Sequence, residues 1–159
     1  IGKSRDDIAS SEYLYSYLGV KNSPAPSFDL DEEYEMQQLI KALIKNNLIE
    51  SAHDVSDGGL FITLLESAMP RSIGFDISAD EDIRKDAFLF GESQSRVVVS
   101  ISPEKLDAFV DFIAGSDVEF TNLGEVTPGE IKIDGENFEA VMHFKNVYDG
   151  AIGKVMEGF

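Results

Sequence analysis

The run Arg96–Ile101 limits the possible folds more than any other feature of the sequence, because it contains three consecutive valines. β-Branched residues favour strands, and a strand that is apolar on both faces is typical of a sheet whose two faces are covered. We therefore predict a central strand over Arg96–Ile101, with helices on both sides of it.

Helical and strand patterns alternate along the rest of the chain. Apolar residues at spacings of three and four predict helices over about 31–48, Leu60–Met69, Ser102–Ile113 and Phe144–Met156. Shorter patterns predict strands over Ser51–Val55, Ile73–Ile77 and Val118–Val126. A hairpin is predicted from Glu130–Ile133, through a turn at Asp134-Gly135, to a return strand over about Asn137–Met142. We expect Asp29 or Asp31 to cap the first helix and Pro70 to end the second. This order indicates a mixed α/β (α+β) fold in which helices cover the faces of one mixed sheet, giving three layers, α/β/α. Residues 1–159 are predicted to form a single domain.

Composition narrows the classes of partner. The 159 residues include 30 Asp and Glu against 13 Lys and Arg, which gives a formal net charge of −17 at pH 7. A surface of this charge repels nucleic-acid phosphates and anionic lipids, and no apolar run is long enough to span a bilayer. Without cysteine there is no disulfide framework and no thiolate nucleophile, so the cytoplasm is the expected location. The chain begins at Ile1 without a secretory leader, and we expect it to be part of a longer protein.

The first string that could carry chemistry is residues 52–60, which read Ala-His-Asp-Val-Ser-Asp-Gly-Gly-Leu. It follows a predicted strand and precedes a predicted helix, where Gly58 and Gly59 let the backbone approach an anion closely. The carboxylates of Asp54 and Asp57 would oppose a bare phosphate. Phosphate binding at this turn therefore requires a bridging cation, such as Mg²⁺.

The same string has a structural interpretation. Asp57 can cap the following helix, with Gly58 and Gly59 needed only for the turn. A histidine such as His53, next to a strand end, is more often a hydrogen-bonded structural residue than a catalyst. The sequence also holds no Gly-x-Ser-x-Gly elbow that would make a serine triad. From the residues alone, capping by Asp57 is favoured over metal binding.

The second string is residues 90–96, which read Phe-Gly-Glu-Ser-Gln-Ser-Arg and run into the valine strand. Glu92, Ser93 and Gln94 offer a carboxylate, a hydroxyl and an amide in one polar turn, and loops at strand ends often line ligand pockets. Alternatively, Arg96 pairs with Glu92 and fixes the turn. The residues alone favour neither interpretation.

Together, the two strings resemble the second carboxy-terminal module of the phosphoribosylformylglycinamidine synthase family, within the aminoimidazole ribonucleotide synthetase-like superfamily. The resemblance rests on His53–Leu60 and Phe90–Ser100 and extends over the whole chain in order. It implies a mixed α/β module with partly ferredoxin-like topology. One segment departs, because the family usually has Gly-Gly-Ser-Glu where this chain has Ala9-Ser10-Ser11-Glu12.

The resemblance implies a reaction and partners. The family converts formylglycinamide ribonucleotide, ATP and ammonia into the amidine, ADP and phosphate in purine biosynthesis, and a glutamine amidotransferase supplies the ammonia. ATP or ADP and Mg²⁺ are therefore expected in the intact enzyme, with none bound tightly to this chain. The remaining modules of the enzyme and the glutamine amidotransferase are the expected partners. Because most nucleotide contacts of the family lie in amino-terminal modules, the chain alone is expected to be inactive.

The resemblance also assigns candidate pocket residues, with Asp54 and Asp57 as the weak metal candidates. The candidates are the polar and glycine positions of the two strings: His53, Asp54, Asp57, Gly58, Gly59, Glu92, Ser93, Gln94 and Arg96. The turn Glu92–Gln94 either touches a ligand or is a relic of the catalytic half, and no catalytic residue is assigned.

Two alternatives to this function stay open. The first is a domain of a sister ATP-dependent enzyme of the aminoimidazole ribonucleotide synthetase, selenophosphate synthetase or thiamine monophosphate kinase type, although the strings of these families differ at the His53 position. The second is a free-standing acidic scaffold module that binds cations through Asp54 and Asp57. No calcium-type loop with alternating oxygen ligands supports the second alternative.

Overall fold

The computed structural model describes residues 1–158 and confirms the mixed α/β class. The α-helices are α1 (Leu30–Lys45), α2 (Gly59–Ala68), α3 (Lys85–Phe90), α4 (Leu106–Ile113) and α5 (Val141–Glu157). The strands are β1 (Ser51–Asp54), β2 (Gly74–Ile77), β3 (Val97–Ser100), β4 (Gly124–Thr127), β5 (Ile131–Ile133) and β6 (Glu136–Asn137). A π-helix over Tyr13–Tyr17 and 3₁₀ turns over Met69–Arg71 and Pro103–Lys105 complete the list.

The chain divides into two compact units, each made of two stretches of sequence. The first unit comprises Ile1–Thr63 and Asp80–Asn122, and the second comprises Leu64–Ala79 and the chain from Leu123 onward. Among the described residues the strands form two sheets, one of two strands and one of four. The expectation of one mixed sheet is therefore wrong, because the strands segregate between the two sheets.

The first unit is built on β1 and β3, which pair antiparallel with Asp54 opposite Val97. The prediction that the valine strand is central and covered on both sides is wrong. Beyond β1, its other edge meets only the backbone of Ile1 among the described residues, through a bond from Val97 N to Ile1 O of 2.9 Å. Val98 and Val99 are only half-buried. Val99 packs on the core, and its neighbour Val98 points to the other face, as alternation along a strand requires.

The core of the first unit lies between α1 and α4. Leu39 and Leu43 recur on one face of α1, and Phe109 and Ile113 on one face of α4, and all four are buried. Asp29 caps α1 as predicted, because its Oδ1 accepts hydrogen bonds from the N–H groups of Asp31 (2.9 Å) and Glu32 (3.1 Å).

The second unit contains the four-stranded sheet, in the order β4-β2-β5-β6. β2 pairs antiparallel with β4 and parallel with β5. Its core side carries apolar side chains that are 5% exposed or less: Phe75, Ile77, Ile131 and Ile133. The hairpin turn between β5 and β6 is confirmed, with φ of +54° at Asp134 and +77° at Gly135, but β6 is much shorter than the predicted return strand.

The last helix, α5, has the predicted position but a different burial. Its apolar stripe is largely in solvent: among the described residues of α5 only Val141 is buried, and Ile152 is 75% exposed. The helices of the described chain all fall short of the length and apolarity that a membrane crossing needs.

Candidate functional site

The two strings singled out in the sequence lie directly against each other in the first unit. The first string forms the end of β1, a turn and the start of α2, and Gly59 there has φ of +71°. A Cβ at Gly59 would lie 2.7 Å from the carbonyl carbon of Phe90 and 2.8 Å from the oxygen of Gly91. Glycine is therefore required at this position for two reasons, its backbone conformation and the close approach of the second string.

Glu92 connects the second string to the first through backbone amides. Its Oε1 accepts hydrogen bonds from Gly58 N at 2.8 Å and from Glu12 N at 2.7 Å. The N–H groups that precede a helix have no partner within it, so a carboxylate at this position satisfies two such donors at once. The turn Glu92–Gln94 is thus held by the start of α2 and by the segment before the π-helix.

The expectation that Asp57 caps α2 is wrong. Because α2 begins at Gly59, the cap position belongs to Gly58, and Asp57 lies one residue too early to reach the N–H groups of the first turn. Gly59 N donates instead to the carbonyl of Ser56 at 3.0 Å. The side chain of Asp57 is exposed and lines a cleft.

The expectation that Arg96 pairs with Glu92 is also wrong. The guanidinium is buried, and its Nε donates to the carbonyl of Ser93 at 3.3 Å and its Nη2 to the carbonyl of Gly91. Burial lowers the pKa of Arg96 to about 10. No ion pair joins Arg96 to Glu92 among the described residues, and Oε1 of Glu92 accepts from two backbone amides instead. The described residues therefore provide a buried positive charge that is anchored by carbonyl oxygens only.

The remaining residues of the second string differ in their surroundings. Ser93 is 1% exposed, and its hydroxyl has no hydrogen-bond partner among the described residues. Gln94 is exposed and lines the cleft. Ser95 has φ of +64°, and its hydroxyl donates to Oε2 of Glu33 in α1 at 2.7 Å, so the turn is fixed to this helix as well.

The cleft has a volume of about 410 Å³ and lies within the first unit. Five sequence-predicted candidates line it, namely Asp54, Asp57, Glu92, Gln94 and Arg96. The other lining residues were not foreseen: Ser10, Pro26, Glu33, Met36, Val55, Ser56 and Ser95. Four carboxylates against one guanidinium make the cleft acidic, so it is suited to a cation or to an anion that arrives with one.

His53, Ser93 and the two glycines are not part of the cleft wall. The imidazole Nδ1 of His53 lies 2.8 Å from the carbonyl oxygen of Asp54, within hydrogen-bond distance, and 3.8 Å from its Oδ1. These contacts are those of a residue that stabilises the strand end. Among the described residues, no group of three or more His, Asp or Glu is arranged to hold a metal ion. Asp54 and Asp57 are two of the carboxylates that line the cleft.

Ser10 is the residue of the cleft that sequence reasoning should have reached. It stands where the family resemblance has glycine, and its φ of +53° is a conformation that glycine adopts without strain. Its N–H donates to Oγ of Ser23 at 3.1 Å, and its hydroxyl donates to the carbonyl of Pro24 at 2.9 Å. These bonds fix the segment that carries Pro26, another residue of the cleft wall.

A mixed α/β module with an acidic cleft between a glycine turn and a Glu-Ser-Gln turn is the class of protein that the fold and the site define. Residues 3–135 match the family described as "AIR synthase related protein, C-terminal domain", and the chain belongs to this family.

Similar proteins agree with this assignment. The chain is 33% identical over 161 residues to the phosphoribosylformylglycinamidine synthase subunit PurL of Alkaliphilus metalliredigens, covering 99% of this chain and 22% of the relative. It is 37% identical over 134 residues to PurL of Caldanaerobacter subterraneus, covering 84% and 18%. The structure of T. maritima PurL complexed with FGAR superposes with a TM-score of 0.70 at 18% identity, over 91% of this chain and 26% of that one. The family resemblance noted in the sequence is confirmed, and the chain spans about a fifth of the length of the curated relatives.

Proposed function

We propose that this chain acts as the second carboxy-terminal module of a phosphoribosylformylglycinamidine synthase, in purine biosynthesis. The whole enzyme would form the amidine from formylglycinamide ribonucleotide, ATP and ammonia, as an ATP-dependent C–N ligase. Support comes from the family match over residues 3–135 and from relatives that carry this activity in their names. The enzyme would act in the cytoplasm, and its ammonia would come from a glutamine amidotransferase module or subunit.

The proposed role of the cleft is to hold a nucleotide through Mg²⁺. The observation that carries this proposal is that the buried guanidinium of Arg96 and the exposed carboxylates of Asp54 and Asp57 line the same cleft. A phosphate attracted by Arg96 would meet repulsion from the carboxylates unless a divalent cation lay between them. Structures of T. maritima PurL complexed with ATP, AMPPCP and ADP support nucleotide binding in the relatives.

The chain alone is proposed to bind the nucleotide but not to catalyse amidine formation. Its partners would be the other modules of the enzyme, because the relatives are about five times longer than the segment that matches. Formylglycinamide ribonucleotide, ATP and ammonia supplied to the purified chain should therefore give no amidine. Formation of the amidine above the uncatalysed rate would contradict this proposal.

Thermal melting tests the nucleotide site directly. Mg²⁺ and ADP together, at about 100 times the dissociation constant, stabilise a protein by about 2.7 kcal/mol. For a chain of this size that corresponds to a rise of about 5–10 °C. Mg²⁺ alone or ADP alone should raise the melting temperature much less. Without Mg²⁺ the phosphates of ADP are repelled by the carboxylates, and without ADP the cation lacks phosphate ligands.

The variant Asp57→Asn should abolish most of the rise, since it removes a proposed metal ligand but keeps the size of the side chain. Asp111→Asn, at an exposed position in α4 away from the cleft, is the matched control and should respond like the wild type. An unchanged melting temperature in the wild type with both ligands would contradict the nucleotide site.

A further inference from the structure

We propose that Glu92 is a positioning residue that builds the cleft and does not bind the ligand. The identity of the ligand rests on the proposed function, whereas the hydrogen bonds of Glu92 do not depend on it. One carboxylate oxygen, Oε1, accepts from Gly58 N at 2.8 Å and from Glu12 N at 2.7 Å. The two donors belong to segments far apart in sequence, and the bonds bring both segments to the cleft edge.

Both donors lie at places where a backbone N–H needs an external partner. Gly58 immediately precedes α2, and Glu12 is the cap residue of the π-helix Tyr13–Tyr17. The side chain of Glu12 does not fill this role for its own helix, because no cap hydrogen bond forms from it. Glu92 therefore provides the acceptor from a third segment.

The other acidic residues of the cleft divide in the same way. Glu33 is engaged within the protein, since its two carboxylate oxygens accept from Gln37 (2.5 Å) and from Ser95 (2.7 Å). Asp57 is exposed and makes no side-chain hydrogen bond among the described residues. Glu33 and Glu92 thus hold the walls together through hydrogen bonds within the protein, whereas Asp54 and Asp57 are exposed and are the carboxylates proposed to take a cation.

Two conservative substitutions of Glu92 separate positioning from ligand binding, because one removes the charge and keeps the length, and the other keeps the charge and shortens the side chain. Glu92→Gln keeps the length and the Oε1 acceptor but removes the charge. Glu92→Asp keeps the charge but shortens the side chain by one methylene, so the oxygen no longer reaches both amides. A positioning residue tolerates the first change and not the second, whereas a residue that holds a cation needs its charge.

The experiment measures amide hydrogen exchange by NMR at Gly58 and Glu12, together with titration by Mg²⁺ and ADP. In Glu92→Gln, exchange at both amides and the binding constant should stay within about twofold of the wild type. In Glu92→Asp, exchange at both amides should accelerate about tenfold and binding should weaken about tenfold, because each amide loses its acceptor. Glu104→Gln, at an exposed position outside the cleft, is the control for loss of one negative charge.

The opposite pattern, normal exchange in Glu92→Asp or fast exchange in Glu92→Gln, would overturn the proposal. Weak binding in Glu92→Gln with normal exchange would overturn it as well, because the charge would then act on the ligand. Should the wild type fail to bind Mg²⁺ with ADP, the proposed function fails, while the exchange rates at Gly58 and Glu12 still decide the role of Glu92.

Discussion

Replacement of Gly59 by alanine tests whether the two strings depend on direct backbone contact. The substitution introduces two separate penalties at this position. The φ of +71° lies in the left-handed region, and the new Cβ would lie 2.7 Å from the carbonyl carbon of Phe90 and 2.8 Å from the oxygen of Gly91. Neither contact can be relieved by rotating a side chain, because both atoms belong to the backbone.

The expected magnitude follows from these two terms. A non-glycine residue in the left-handed conformation costs roughly 1–2 kcal/mol. Displacement of packed atoms by an added methyl group costs typically about 1–3 kcal/mol. The free energy of unfolding of Gly59→Ala should therefore fall by about 2–5 kcal/mol, which is a large part of the stability of a domain of this size.

Gly19→Ala is the matched control, because Gly19 also has φ of +71° but a Cβ there would meet no atom within 4 Å. It should lose only the conformational term, roughly 1–2 kcal/mol. Urea denaturation of both variants, followed by far-ultraviolet circular dichroism, measures the difference. Equal losses in the two variants would refute the claim that the strings are in tight backbone contact.

Two further predictions concern the first unit. Asp29→Ala should lower the free energy of unfolding by about 1 kcal/mol, because it removes the acceptor for two N–H groups of α1, whereas Asp29→Asn should lose little, and urea denaturation measures both. Lys105, which donates to Glu50, lowers the pKa of Glu50 below its ordinary value of 4.5, so the ion pair stabilises the fold above that pH and loses its effect as the pH falls through the lowered pKa. The difference in melting temperature between the wild type and Glu50→Gln should therefore be present at about pH 7 and shrink as the pH falls through the lowered pKa of Glu50, and a difference that grows towards acid would contradict the sign of the shift.

Sequence patterns predicted the elements whose signal is local. The cap at Asp29 and the turn at Asp134-Gly135 were correct, because both depend on residues within a few positions of each other. The short helix α3 and the π-helix Tyr13–Tyr17 were missed, since neither is long enough to display a helical period. The valine strand was assigned to the centre of a sheet because two apolar faces can be read from a sequence, while the partners on its edges cannot.

The candidate site shows the same division. The resemblance predicted a pocket that includes Asp54, Asp57, Glu92, Gln94 and Arg96, and these residues line one cleft. The hydrogen-bond partners that the sequence suggested for Asp57 and Arg96 were wrong. The sequence suggests an ion pair between Arg96 and Glu92, whereas Arg96 donates to backbone carbonyls and Glu92 accepts from backbone amides. The carboxylate of Asp57, expected to cap α2, is exposed instead. Backbone carbonyls and amides carry no sequence signal, and their positions follow from the tertiary fold.

The division of the chain into two interleaved units affects the order in which they can form. Ile1–Thr63 is completed by Asp80–Asn122, and Leu64–Ala79 is completed only from Leu123 onward. During synthesis on a ribosome, β2 emerges well before its neighbours β4 and β5, so both of its edges stay open until Gly124–Ile133 has been made. Neither unit corresponds to a continuous stretch of coding sequence, and a premature stop within 80–122 would truncate the first unit and leave the second without three of its four strands.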